Sequence, residues 1–157
     1  DFAINSLFVP TAKQHIDIFS IVHHKGSHCS SRQLIKGVLG GSSSGVFRGL
    51  AHVYDKAKKT DAQQTNHNLL LSKKARMNSI PQLEIYEDDV KCSHGSTTGQ
   101  IDEDAVFYLR SRGINRMEAM ELMVKGFANE VVDKVENDKL KTNIQKVLAE
   151  KMEGMIS

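Results

Sequence analysis

Residues Pro81 to Gly99 read PQLEIYEDDVKCSHGSTTG, and the chain changes character across them. Upstream lie short segments rich in β-type residues. Immediately downstream comes IDEDA at 101–105, and the remainder carries helical periodicity. Within the stretch, Leu83 and Ile85 fall on one face of an extended strand. Cys92 and His94 are also two apart, so in a strand both side chains leave by the same face, roughly 7 Å apart at their Cα atoms. A thiol beside an imidazole suits a soft metal or a sulfur-containing cluster. The pair has a plainer reading too, with Cys92 as a small buried hydrophobe and His94 as a hydrogen-bonded turn residue.

Working back from this stretch, HIDIFSIV (15–22) alternates at Ile16 and Ile18 before Ile21 and Val22, which predicts a strand with a bulge near Phe19. HHKGSHCSS turns on Gly26, and RQLIKGVL (32–39) fits a strand or a short helix on pattern alone. GGSSSG (40–45) reads as a flexible turn without fixed structure, and VFRGLAHVY (46–54) is β-rich again. KAKKTDAQQT (56–65) is polar, TNHNLLLS follows, and PQLEIYEDDVKC closes the series as one segment. The predicted segments begin near residues 16, 31, 46, 65 and 81. Short strands at such intervals, with no amphipathic helix between them, predict stacked β coils or a sandwich.

Beyond the stretch, Asp102 is placed to cap a helix, with Glu103 and Asp104 in its first turn and Gly113 ending it. Asn115 with Glu118 forms a capping-box pattern for a second helix. Its predicted inner stripe is Met117, Met120, Val124, Phe127, Val131 and Val135. Gly126 within it costs roughly 1 kcal/mol against Ala. Asn137 or Asp138 caps a third helix that turns Leu140, Ile144, Val147, Leu148 and Met152 inward. These stripes are expected to bury against one another and against the last β rung.

Bulk properties exclude several function classes. The 157 residues carry 39% hydrophobic and 25% charged residues and a net charge of +2, too small to argue for nucleic acid. Charge is divided unevenly: residues 1–101 hold 12 basic and 8 acidic groups, residues 102–157 hold 9 and 11. No apolar run approaches the ~20 residues of a membrane span, and no secretory signal is visible. Two cysteines, Cys29 and Cys92, make no disulfide framework, so a reduced, cytoplasmic setting is expected. GVLGGSSSG has glycines without the G-K-[ST] of a phosphate loop, and no G-x-S-x-G appears. Asp88 and Asp89 are strand neighbours on opposite faces, a poor acid–base pair. HHKGSHC gathers His23, His24, His28 and Cys29 without the paired spacing of a zinc site, which favours a structural or incidental role. No enzyme acting alone is expected.

PQLEIYEDDVKCSHGSTTGQID, followed by FYLRSRGI, resembles the SufB/SufD family of iron–sulfur cluster assembly proteins. SRQLIKGVL, VFRGL and KTDAQQTNHNLLLS share the likeness, which runs from about His15 to about Val135, and KCSHG favours the SufD branch over SufB. The resemblance implies a mainly β fold with a C-terminal α part: a right-handed parallel β-helix followed by a small helical domain. The expected division is 1–101 for the C-terminal portion of a β-helix core domain and 102–157 for the helical domain, in a piece of a longer protein. It implies a scaffold subunit that pairs with a SufB-like subunit through the β-helices and docks a SufC-like ATPase through its helices, away from nucleic acid and membrane. His94, and less directly Cys92, would then serve nascent cluster assembly at the subunit interface. Phe107, Tyr108, Arg110, Arg112 and Gly113 lie in the segment expected to meet the ATPase. The cluster would be transient and held by the complex, with no cofactor expected on this chain alone. An open β edge makes a homodimer the expected form of the isolated chain. Two rival readings are a stand-alone metal- or redox-binding protein using Cys92 and His94, and a purely structural partner.

Overall fold

The computed structural model describes residues 1–156. Seven strands are followed by three helices: β1 Phe2–Phe8, β2 His15–His24, β3 Ser30–Leu39, β4 Ser44–Val53, β5 Asp61–Leu70, β6 Arg76–Ile85, β7 Lys91–Gln100, α1 Glu103–Ser111, α2 Arg116–Val132 and α3 Asp138–Ile156. Odd and even strands segregate into two parallel sheets, ordered β1-β3-β5-β7 and β2-β4-β6. Each coil contributes one strand to each sheet, so the chain winds as a parallel β-solenoid of about 3 turns, and the mainly β fold with a C-terminal helical part is borne out.

Pairing is in register without interruption, so each inward side chain stacks on the same position of the next coil. Ile4, Gln33, Gln64 and His94 form one such column, and Ser6, Ile35, Asn66 and Ser96 another. The apolar centre is built from Phe8, Ile35, Leu39, Phe47 and Ala75, with Ile16, Ile18, Leu70 and Met77 packed around them. Phe47 and Leu39 are fully buried, and each contributes about 2 to 3 kcal/mol of transfer free energy.

Several sequence expectations change. β1 was not expected; FAINSLF supplies Ile4 and Phe8 to the inner columns. β2 pairs residue for residue with β4 and so has no bulge; Phe19 faces outward, with the Arg48 guanidinium 5.7 Å from its ring. Residues 40–43 are a fixed corner, and 44–45 already belong to β4. Gly41 sits at φ +62 against the Ala12 backbone, Ser42 N donates to Ala12 O at 2.6 Å, and Ser43 is fully buried. β5 begins at Asp61 inside the polar run, because its inward amides Gln64, Asn66 and Asn68 stack on His94, Ser96 and Thr98 of β7, and Gln64 also on Gln33 of β3. The closing segment is two elements, β6 and β7, joined by a corner at 86–90. Pro81 fits within β6 because that strand lies at the edge of its sheet.

The helical caps are as expected. Asp102 accepts from Asp104 N at 2.9 Å and Ala105 N at 3.2 Å, Asn115 and Glu118 form a reciprocal capping box, and Asn137 accepts from Leu140 N at 3.0 Å. Gly113, at φ +91, follows the last turn of α1. The stripes are shifted, however. In α2 the buried residues are Ala119, Val124, Ala128, Val131 and Val132, whereas Met117 is exposed and Val135 lies past the helix end. In α3, Leu148 and Met152 are buried but Leu140 and Val147 are exposed. The reason is where the helices pack. α2 and α3 cover the outer face of the β1-β3-β5-β7 sheet, with Val124, Ala128, Leu148 and Met152 around Val38, Leu7 and Leu69, and not the last rung.

Lys36 anchors this contact. Its side chain is 4% exposed, yet its Nζ donates to Phe127 O at 2.9 Å, pairs with Glu130 and lies 4.1 Å from the Phe127 ring centroid. The hydrogen bond and charge of Lys36 hold the Glu130 carboxyl below its ordinary range. A carboxylate lowered in the folded state stabilises above its unfolded pKa, and that contribution is lost as pH falls through the folded value. Lys36→Met should therefore lower the urea midpoint at about pH 7 and leave a smaller difference between about pH 7 and about pH 3 than the unsubstituted chain shows. An equal acid dependence in both proteins would remove this pair from the account.

Candidate functional site at the open end of the solenoid

β7 is the edge of its sheet and hydrogen-bonds only to β5, while the opposing sheet stops one coil earlier at β6. CSHGSTTG has almost no apolar side chain to bury, so its strand form depends on polar contacts from β5. Buried Asn68 donates through Nδ2 to Thr97 O at 3.4 Å and Thr98 Oγ1 at 3.3 Å, and Ser96 Oγ donates to Asn66 Oδ1 at 3.4 Å. Outside, His67 Nδ1 lies 2.6 Å from Thr97 Oγ1. These contacts fix the register of β7, and the register fixes the site.

Cys92 pairs with Ala62 and His94 with Gln64, both inward positions of β5, so Cys92 and His94 face the solenoid interior from its last rung. The expectation that they share a face is met. Cys92 is half-buried, whereas His94 is exposed because no further strand lies over it. Behind His94 stand Gln64 and then Gln33, 1% and 2% exposed. Sequence reading singled out neither: in KTDAQQT they look like surface residues, and only the register reveals them.

The chain matches the family described as SUF system FeS cluster assembly, SufBD core domain, over residues 1–127. It belongs to the SufBD family. It is 42% identical over 151 residues to the iron–sulfur cluster assembly protein SufD of Escherichia coli, covering 96% of this chain and 36% of that relative, in its C-terminal region. A SufBD family protein of Synechocystis is 42% identical over 130 residues, 83% of this chain and 29% of its own length. A chloroplastic SufBD family protein of Arabidopsis thaliana is 31% identical over 143 residues, 91% of this chain and 26% of its own. The chain thus spans about a third of the length of these curated relatives.

In this SufBD chain, burial pushes the Cys92 thiol above its ordinary range, and the charge of Asp61 adds to the effect, against a backbone hydrogen bond from Ala62. At neutral pH Cys92 is therefore a thiol, and ligation would require the metal to displace its proton to solvent. Two side chains also fall short of a coordination sphere. Among the described residues no three of His, Cys, Asp or Glu are grouped to hold a metal ion. HHKGSHC is split by the fold. His23 points outward near His52, with ring centroids 5.7 Å apart, while His24 points inward, 2.9 Å from Ser31 Oγ, its pKa lowered by burial. Cys29 lies at a corner, Sγ 3.9 Å from Ser27 O.

The second predicted surface is α1. Phe107 is 70% and Tyr108 58% exposed, so both large rings project from the helix. The Arg112 guanidinium lies 5.3 Å from the Tyr108 ring and donates to its hydroxyl at 3.2 Å, while a bidentate Glu103–Arg116 pair ties α1 to α2. No helix of the described residues is long and apolar enough to cross a membrane.

With Cys29→Ser as background, the iodoacetamide reaction of Cys92 should still be accelerating at about pH 9, as the raised thiol requires. Asp61→Asn should shift the whole rate profile to lower pH. A profile already level near neutrality would show a thiolate and contradict the burial argument.

Proposed function

We propose that this chain is the C-terminal part of a SufD-type scaffold subunit that pairs with a SufB-like subunit, docks a SufC-like ATPase and contributes His94 to nascent iron–sulfur cluster assembly, without being an enzyme itself. One observation carries the reading: His94 and Cys92 stand at inward positions of an uncovered last rung, where a second subunit could complete both the sheet and the ligand set. An edge strand with unpaired backbone groups is a template for another chain. Neutral imidazole has a lone pair for iron, and thiolate ligands supplied from a facing subunit would provide the rest. The cluster is cargo in this scheme, formed across a joint that opens when the ATPase moves the subunits apart. His94 is the exposed ligand. Cys92 is a weaker candidate, since its proton is held more tightly and its side chain is half within the core.

The α1 surface supports the second arm. Two projecting aromatic rings flanked by Arg110 and Arg112 combine apolar area with positive charge, the composition of a protein interface centre. In the isolated chain the same open edge favours pairing of two copies.

The test is one co-expression of the full-length protein with its SufB-like and SufC-like partners, read as subunit stoichiometry, iron and acid-labile sulfide. His94→Ala should assemble normally but carry little or no cluster; normal loading would leave His94 as a structural residue. Phe107→Ser with Tyr108→Ser should lose the ATPase from the purified complex while retaining the SufB-like subunit. Retention of all three subunits would place the docking surface elsewhere. For the purified chain alone, light scattering should give the mass of a dimer at micromolar concentration, and a monomer mass would count against self-pairing.

A further inference from the structure

The interior behind His94 holds polar atoms with no partner. Gln64 Nε2 and Oε1 and Gln33 Nε2 are buried and unbonded within the protein, although each lies in a solenoid core where such atoms are normally satisfied. The Gln64 side chain crosses the interior and lies over Gly49 of β4, where even a methyl group would collide with its amide. Gly49 pairs with Pro81 in the next coil and Gln64 pairs with His94, so the layer beyond the Gln64 amide is the His94 imidazole opposite a proline with no N–H to offer. On the other side, Gln33 Oε1 accepts from Ser20 Oγ at 2.8 Å.

We propose that Gln64 is a positioning residue for His94. When the last rung is covered by a partner, the imidazole turns inward and donates one ring N–H to Gln64 Oε1. The other ring nitrogen then carries its lone pair toward the interface, as a ligand to iron must. With Oε1 turned this way, Gln64 Nε2 is left for Gln33 Oε1, its neighbour in the column, which has a second lone pair beside the one used by Ser20. One orientation of one amide thus satisfies both of its own atoms and selects the ligating tautomer. This inference rests on the reading of His94 as a cluster ligand.

The test separates the two. In the complex with the SufB-like partner, prepared free of cluster, selective ¹⁵N-histidine labelling of this subunit reads the His94 tautomer directly. A single tautomer is expected, and a ring exchanging between both overturns the proposal whatever the variants do. Gln64→Met keeps the length and removes an unpaired buried amide, so the melting temperature should hold or rise. Cluster loading should nevertheless fall about ten-fold, the usual effect of losing a group that orients a metal ligand, and the tautomer signal should become mixed. Stability and loading moving apart is the outcome a merely structural glutamine would not give. If the Met variant fails to assemble, Gln64→Asn, which withdraws the amide by one methylene, should show the same mixed tautomer and reduced loading. Wild-type loading with an unchanged tautomer in either variant overturns the proposal. His94→Ala with normal loading would instead remove the ligand role, leaving the tautomer measurement to decide the Gln64 contact alone.

Discussion

In-register parallel pairing is the constraint on which the other features of this molecule depend, because it stacks each interior side chain on the same position of the coil before and the coil after. Where that column is apolar, as from Leu39 to Leu70, stacking excludes water and stabilises the coil. Where it is polar, as at Asn66 and Asn68, the amides bond to each other and to the next strand, with Asn68 Nδ2 donating to Asn66 Oδ1 at 2.8 Å. The second kind of column costs more to bury, but it carries information along the solenoid axis. It sets the register of β7 although β7 has almost nothing apolar to contribute, and so it sets which of its residues look inward.

The two sheets are used differently as a consequence. The outer face of the β1-β3-β5-β7 sheet is covered by α2 and α3, and Lys36 is buried there because Phe127 O and Glu130 receive its charge. The outer face of the β2-β4-β6 sheet carries no helix and exposes Phe19, Ile80 and Tyr86. Helical cover on one sheet leaves the solenoid's end, not its flank, as the place where Cys92 and His94 are accessible. α1 projects its own aromatic rings from the start of the helical part, bound to α2 through Glu103 and Arg116.

The sequence was most legible where the physics is local. Asp102, the Asn115–Glu118 box and Gly113 act within one turn, so their spacing alone identified the helix ends correctly. The shared face of Cys92 and His94 was equally readable, since a strand alternates whatever surrounds it. What could not be read were properties owned by the stack. Gln64 looks like a loop residue until β3 and β7 stand on either side of it, which is also why β5 seemed to begin four residues late. Leu140 and Val147 fit the helical stripe but lie off the face that meets Leu7 and Val38, because the helices pack on a sheet surface instead of on the last rung. Residues 40–45 seemed free for the same reason: Ser42 N and Ser44 N donate to the Ala12 and Gln14 carbonyls in the corner of the preceding coil.

The chemistry of the open end follows from this division between local and stacked information. A metal site closed within one chain would need three or four donors converging, and the last rung supplies one exposed imidazole and one protonated thiol. That is too few to hold iron, and in the proposed reading the last rung is one half of a site that a facing subunit completes. Anchoring such a half-site in a column of buried amides solves a difficulty of edge strands, which otherwise fray. The amides hold β7 from within, so its outer edge stays free to pair.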